Sequence, residues 1–187
     1  MTAPEVARSA GDPPGDLPSE SAIARMIRVD HAGEYGAVRI YAGQRAVLGG
    51  GPKGPLLQHM AEQERQHLAS FSELLVRRRV RPTALLPFWD LAGFALGAAT
   101  ALLGERAAMA ATVAVEEAID AHYAGQEAAL ADSDAEVSDL VARCRAEELE
   151  HRDIGLANEA ELAPGYRLLS AAIKAGCRVA IALSERV

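Results

Sequence analysis

Residues 64–67 read ERQH and residues 148–151 read ELEH, so the chain carries the pattern Glu-x-x-His twice. Each copy follows a single glutamate at nearly the same distance: Glu34 lies 30 residues before Glu64, and Glu116 lies 32 residues before Glu148. Residues three apart lie on one face of a helix, so both members of each pair can reach the same point. The spacing lets a helix rise, turn and return, which places each single glutamate level with its pair. The pattern therefore predicts two ligand-bearing helical hairpins.

One glutamate from each of two helices, with a Glu-x-x-His from each of two others, is the ligand set of a carboxylate-bridged di-iron site in a four-helix bundle. Two Fe(II) ions would balance the four negative charges of the glutamates, so such a site is close to neutral and can be buried. Mixed carboxylate and imidazole ligands suit iron or manganese better than structural zinc, which usually recruits cysteine. Because the metal neutralises the carboxylates, we expect it to stabilise the fold.

Spacing leaves the register of two ligands open. Glu147 could pair with His151 at i+4 in place of Glu148, although symmetry with the first half of the chain favours Glu148. Glu117 could take the place of Glu116, and spacing alone does not decide between them.

The bulk composition predicts one all-α domain. The 187 residues are 50% hydrophobic and 4% aromatic, with a net charge of −7, and no stretch alternates as a strand does. Residues 1–18 are expected to form a flexible acidic tail before a domain over 19–187. Glycine, proline and capping signals predict six helices: from residue 19 or 21 to 49, about 55–80, 88–103, 104–131, from the cap at 132–134 to about 161, and 166–184.

The acidic balance argues against nucleic acid as a partner. The arginines of residues 77–81 form a local basic cluster. This cluster fits either a solvated helix C-terminus, favoured by the macrodipole, or a contact with anionic lipid head groups. Cys144 and Cys177 lack the spacing of a metal or redox motif and are expected in the core of a protein from a reducing compartment.

An apolar insertion at about residues 84–103 separates the two hairpins. Residues 91–103 carry no charge, and as a helix they span roughly 20 Å, short of the ~30 Å hydrocarbon core of a bilayer. Trp89 beside Asp90 resembles an interfacial anchor. A buried core helix or a dimer contact explains the insertion equally well. The last helix, over residues 168–183, is also largely apolar and could pack on the bundle, join a dimer or extend a membrane-facing surface.

Longer strings of the chain resemble the demethoxyubiquinone hydroxylases of ubiquinone biosynthesis, from about residue 22 to the end. The strings are 28–37 (RVDHAGEYGA), 40–44 (IYAGQ), 114–117 (AVEE) with His122 and Tyr123, 147–155 (EELEHRDIG), 161–164 (ELAP) and 175–181 (AGCRVAI). The resemblance implies a ferritin-like four-helix bundle with an extra apolar interfacial helix and a C-terminal helix. Carried across residue by residue, the family's metal ligands fall on Glu34, Glu64, His67, Glu116, Glu148 and His151, which selects Glu116 over Glu117.

The resemblance implies a monooxygenase that uses two Fe ions and O2 to hydroxylate the ring of a polyprenylated 2-methoxy-methyl-benzoquinol, with a reductant such as NADH. Because that substrate's tail lies in lipid, it implies a peripheral membrane protein and favours the interfacial interpretation of the insertion. The chain shows no organelle transit segment, so we expect the cytoplasmic face of a bacterial membrane. A homo-oligomer and contacts with other ubiquinone-biosynthesis proteins are also expected.

Further roles follow as hypotheses. Tyr123 lies seven residues after Glu116 and so returns to the ligand face, where it and His122 could serve the substrate side or an electron relay; a packed core tyrosine is the alternative. Asp30 or Asp120 could accept the free ring N–H of a ligand histidine. The rival functions are a ferritin-like iron-oxidising or storage protein, a quinone- or lipid-binding accessory protein, and a di-iron oxygenase of another hydrophobic substrate.

Overall fold

The computed structural model describes residues 21–130 and 134–187, and within them every regular element is helical. The predicted all-α class is confirmed. The predicted tail, and residues 132 and 133 of the turn predicted at 132–134, lie outside the described residues. The elements are α1 Ser21–Leu48, α2 Gly54–Arg78, α3 Leu86–Leu102, α4 Glu105–Leu130, α5 Ala135–Ala157, a 3-10 turn Ala160–Leu162, and α6 Tyr166–Ser184.

Four of these helices form the bundle. α1 packs against α2 and α4 against α5, while α3 lies on α1 and α6 lies on α4. The apolar core is split into two main clusters. One contains Ile27, Phe71 and Tyr123, and the other contains Tyr41, Met60 and Met109. The six glutamates and histidines of the two motifs lie on the same four helices, so hydrophobic layers hold these helices around them.

The helix ends agree with the predicted ends to within about two residues, except at the end of α5. Asp134 caps α5, since its side chain accepts a hydrogen bond from the Val137 N–H at 3.2 Å, as predicted. The prediction that α5 continues to about residue 161 is wrong. The Asn158 side chain donates to the Ile154 carbonyl at 2.7 Å, and Glu159 adopts a left-handed φ of 62°. These two residues end the helix at Ala157 and start the short 3-10 turn.

The arginine cluster joins two helix ends. Arg78 lies 2.9 Å from Asp134 and 2.7 Å from Glu136, and Arg77 also pairs with Glu136. These contacts link the end of α2 to the start of α5, which favours the helix-end interpretation over a lipid contact for these two arginines.

The apolar insertion forms α3, which packs closely on α1 through glycines. A Cβ on Gly97 would lie 1.9 Å from the Ile40 carbonyl oxygen, and one on Gly43 would lie 2.2 Å from the Phe94 carbonyl oxygen. The opposite face of α3 is open, and Leu91 is 70% exposed. The insertion is thus a packed helix on one side and an exposed apolar surface on the other. Among the described residues, no helix combines the length and the apolar character needed to span a bilayer.

Substituting Gly97 should separate α3 from α1. We expect Gly97→Ala to lower the free energy of unfolding by about 1–3 kcal/mol, because the added methyl group meets backbone rather than a movable side chain. Gly125→Ala in α4 is the matched control: nothing lies within 4 Å of its added Cβ, so helix propensity should leave the protein unchanged or about 0.5–1 kcal/mol more stable. Urea denaturation of both variants measures the difference, and equal stabilities would contradict close α1–α3 packing.

Candidate metal centre

Six acidic and histidine side chains from four helices meet in the middle of the bundle. None is more than 5% exposed. Their donor atoms form two groups of four, with all atoms of a group within 4.8 Å of one another. One group contains Glu34, Glu64, His67 and Glu148; the other contains Glu64, Glu116, Glu148 and His151. Because Glu64 and Glu148 belong to both groups, the arrangement offers two adjacent metal positions with two shared carboxylates.

Both histidines turn Nδ1 towards the carboxylates. His67 Nδ1 lies 3.1 Å from Glu148 Oε1 and 3.4 Å from Glu34 Oε2. His151 Nδ1 lies 3.0 Å from Glu64 Oε1 and 3.5 Å from Glu148 Oε2. All six residues predicted as ligands are therefore brought together.

The two alternative glutamates lie outside the cluster. Glu147 lies on the outer side of His67, 3.1 Å from its Nε2. Glu117 pairs with Lys174 of α6 instead. The geometry therefore places Glu148 and Glu116, rather than their neighbours, among the converging donors.

The cluster contains buried donor atoms without hydrogen bonds in the described part of the chain. They are Glu34 Oε2, both carboxylate oxygens of Glu64, Glu116 Oε2, Glu148 Oε2 and His151 Nδ1. Buried polar atoms are normally satisfied, so this many unsatisfied acceptors in one place need positive charge. Oxygen and imidazole nitrogen donors in this ratio fit a pair of ions such as iron or manganese.

Two buried tyrosines support the outer carboxylates. Tyr123 donates a hydrogen bond to Glu34 Oε1, and Tyr41 donates to Glu116 Oε1 at 3.0 Å. In each case the second oxygen is left free to face the cluster. Tyr41 follows Glu34 by seven residues just as Tyr123 follows Glu116. The seven-residue offset identified Tyr123 from sequence, and the same signal in the first helix, which was missed, would have identified Tyr41.

The outer ring nitrogens of the histidines have partners that the sequence did not predict. His67 Nε2 lies 3.1 Å from Glu147 Oε2, and His151 Nε2 lies 3.0 Å from Gln63 Oε1. Each partner immediately precedes a shared glutamate and reaches across to the histidine of the other helix.

Asp30 and Asp120, predicted to fill this role, do not. Asp30 is buried and lies 3.1 Å from His122 Nε2 and 2.7 Å from Gln126 Nε2, whereas Asp120 forms an ion pair with Arg145 at 2.7 Å. His122 thus contacts Asp30 rather than the carboxylate cluster, and it lines a separate polar cavity with Arg25.

Burial and mutual repulsion raise the pKa values of Glu34, Glu64 and Glu116 above the usual carboxyl range. Burial also acts on Glu148, but the neighbouring rings of His151 and His67 outweigh it and lower its pKa to about 2. Although burial opposes a charged ring, the glutamate carboxylates that face the rings favour the protonated form and raise the pKa values of His67 and His151.

An apolar cavity of about 480 Å³ lies between α1, α3, α4 and α6. Its inner wall includes Ala37 and Val115, which lie on the helices that carry Glu34 and Glu116. Trp89 closes one side and donates from Nε1 to Ser184 Oγ at 3.1 Å. Cys177 also lines the cavity, while Cys144 is buried in the core as predicted. Neither Tyr123 nor His122 belongs to the cavity wall.

Residues 21–184 match the family model described as "Ubiquinone biosynthesis protein COQ7". The chain belongs to the COQ7 family. The matched residues include all six α-helices of the described part of the chain and therefore the six donor residues.

Proteins with similar sequences are named as hydroxylases of demethoxyubiquinone or demethoxyubiquinol. The chain is 58% identical over 173 residues to the human "NADPH-dependent 3-demethoxyubiquinone 3-hydroxylase, mitochondrial". This alignment covers 90% of this chain and 80% of the human protein. It is 56% identical over 175 residues to the "3-demethoxyubiquinol 3-hydroxylase" of Rhodospirillum rubrum, covering 93% and 82%. It is 41% identical over 182 residues to the "5-demethoxyubiquinone hydroxylase, mitochondrial" of Saccharomyces cerevisiae, covering 88% and 78%. The predicted family is confirmed.

The metal-free protein should lose stability as pH rises. A group whose pKa is higher in the folded state stabilises the fold at low pH and loses that contribution as it deprotonates. Three glutamates and both histidines of the cluster shift in this direction, whereas Glu148 acts oppositely but only below its usual value of 4.5. The free energy of unfolding of the metal-free protein should therefore fall between about pH 5 and pH 8.

Urea denaturation at several pH values, with and without a chelator, measures this slope. Glu64→Gln keeps the shape of the side chain without its titration and should make the slope shallower. A metal-free protein that is more stable at pH 8 than at pH 5 would contradict the raised pKa values of the glutamates and histidines in the cluster.

Proposed function

We propose that this chain is an O2-dependent monooxygenase that hydroxylates the ring of a polyprenylated 2-methoxy-methyl-benzoquinol, demethoxyubiquinol, in ubiquinone biosynthesis. The observation that carries the proposal is a buried cluster of six metal-type donors together with an apolar cavity whose wall includes Gly33 and Val115, the residues directly before Glu34 and Glu116. Membership of the COQ7 family and the hydroxylase names of its relatives support it.

Two Fe ions are proposed as the cofactor. Glu34 and His67 would hold one ion, Glu116 and His151 the other, and Glu64 and Glu148 would bridge them, as the two donor groups suggest. When bound, the irons supply the reduction of dioxygen and the transfer of one oxygen atom to the ring. The human relative's name specifies NADPH, which supports a nicotinamide reductant, NADH or NADPH, for this chain.

The protein's own residues orient the outer carboxylates and exclude water from the cavity. Tyr41 and Tyr123 hold the outer carboxylates by one oxygen each and leave the other oxygen facing inwards. The cavity wall is made of small and aliphatic residues such as Ala37, Ile40 and Val115, so it favours an apolar ring and tail and excludes water.

The outer surface suits a substrate whose tail remains in lipid. α3 and α6, which form two walls of the cavity, expose large apolar side chains, among them Phe88, Leu91, Leu168 and Val179. Exposed patches of this kind mark membrane or protein contacts. We place the protein peripherally on the cytoplasmic face of a bacterial membrane with these helices towards the lipid. The same faces could support a homo-oligomer or contacts with other ubiquinone-biosynthesis proteins.

The iron-storage alternative does not account for the cavity. An iron-oxidising protein needs the carboxylate cluster but has no use for an apolar chamber beside it. A di-iron oxygenase of another hydrophobic substrate is the second candidate, because the cavity selects for apolar character and size rather than for one ring.

Product analysis with labelled dioxygen tests the proposal. Iron-loaded protein, given a short-tailed demethoxyubiquinol, a reductant and ¹⁸O2, should form a product that carries one labelled hydroxyl on the ring by mass spectrometry. The Glu148→Ala variant lacks a carboxylate that belongs to both donor groups, so it should form no labelled product. Glu150→Ala, on the exposed side of the same helix, is the matched control and should retain activity. Protein that binds and oxidises two irons without forming product would favour the iron-handling alternative.

Tyr123 is proposed to position Glu34 and to relay electrons or protons, since it donates to that carboxylate but does not line the cavity. Tyr123→Phe should keep the iron content and lower turnover by about tenfold or more. Tyr41→Phe removes the equivalent hydrogen bond to Glu116 and serves as the comparison: a smaller loss there indicates a relay specific to Tyr123. Unchanged turnover and unchanged iron in Tyr123→Phe would remove the role.

A further inference from the structure

A chain of hydrogen bonds joins the two histidines on the outer side of the metal centre. Glu147 Oε2 lies 3.1 Å from His67 Nε2 and 3.3 Å from the amide nitrogen of Gln63. The amide oxygen of Gln63 lies 3.0 Å from His151 Nε2. Glu147 and the Gln63 carbonyl accept, so each ring donates from Nε2, and Nδ1 is the nitrogen that would bind a metal ion in the cluster. The chain therefore fixes the tautomer of both histidines.

This outer chain breaks the two-fold symmetry of the site. The six donors and the two tyrosines are duplicated between the two halves of the protein. Gln63 and Glu147 occupy equivalent positions, each directly before a shared glutamate, yet one is a neutral amide and the other a carboxyl. His151 therefore donates to an amide, whereas His67 donates to an acid.

We propose that Glu147 makes the two metal positions unequal, so that the position of Glu34 and His67 binds its ion first and more tightly. The inference rests on the proposed metal centre. A carboxylate that accepts a ring N–H increases the electron density of the imidazole, and such outer partners typically change metal affinity by about 10–100-fold. A neutral amide oxygen gives His151 less of this effect. The Glu147 side chain is 42% exposed, so solvent screens it and the lower end of that range, about tenfold, is expected.

The role is one of positioning, because Glu147 acts on the metal only through His67. It also adds negative charge to the same side of the centre. Charge and hydrogen bonding must therefore be separated by experiment, and α5 provides the means: Glu150 is an exposed glutamate on the same helix, three residues further along the chain.

Anaerobic Fe(II) titration of the metal-free, full-length protein by calorimetry tests the inference. The wild-type protein should bind two ions in steps that differ by about tenfold in affinity. Glu147→Gln should weaken the tighter step by about tenfold and leave the weaker step unchanged, so that the two steps merge. Glu150→Gln, which removes the same charge without touching a histidine, should keep the two steps apart. The exchanged variant Gln63→Glu with Glu147→Gln should restore two separate steps.

Mössbauer spectra of the ⁵⁷Fe(II)-loaded proteins give a second readout that does not depend on turnover. Two distinct iron environments in the wild type should become nearly equivalent in Glu147→Gln. Two equal binding steps in the wild type, or an effect of Glu147→Gln no larger than that of Glu150→Gln, would overturn the inference while leaving the metal centre intact. Failure of the wild-type protein to take up iron would overturn the proposed function and this inference with it.

Discussion

The rest of the structure depends on the burial of four carboxylates whose oxygens lie within 4.8 Å of one another in two groups. Such a cluster is unfavourable in an apolar core unless cations or protons neutralise it. In the bundle, each donor group contains one histidine, and a tyrosine donates a hydrogen bond to each outer carboxylate. Apolar clusters from all four helices surround these residues. We therefore expect metal binding to stabilise the fold of this molecule.

The two additional helices add an apolar cavity to the bundle that carries the donor cluster. α3 approaches α1 so closely that glycine is required at the contact, and α6 is held by Trp89 and by Lys174. Between them they leave a cavity against the ligand-bearing helices rather than a filled core. Their outward faces remain apolar, so one pair of helices forms both the chamber and the surface through which a lipid-soluble substrate would arrive.

The sequence predicted what depends on spacing along one helix and missed what depends on contacts between helices. The i, i+3 motifs and their repeat placed all six donors, and glycine or proline marked most helix ends. Gln63 and Glu147 act across the bundle, where no local periodicity points to their role, whereas Tyr41 repeats the seven-residue offset of Tyr123. The prediction that Asp30 or Asp120 accepts the ring N–H of a ligand histidine is wrong, because an acid one turn from a ligand on its own helix need not face a histidine on another helix. The end of α5 was misjudged because one asparagine side chain closes it.

Iron content and thermal stability, measured together, test the central claim most directly. Metal-free protein reconstituted anaerobically with Fe(II) should contain two irons per chain, one for each donor group. Its thermal midpoint should rise by at least about 5 °C at neutral pH, because the ions neutralise the buried carboxylates. Less than one iron per chain, or a midpoint that does not change on loading, would contradict the claim that the fold is built around a pair of metal ions.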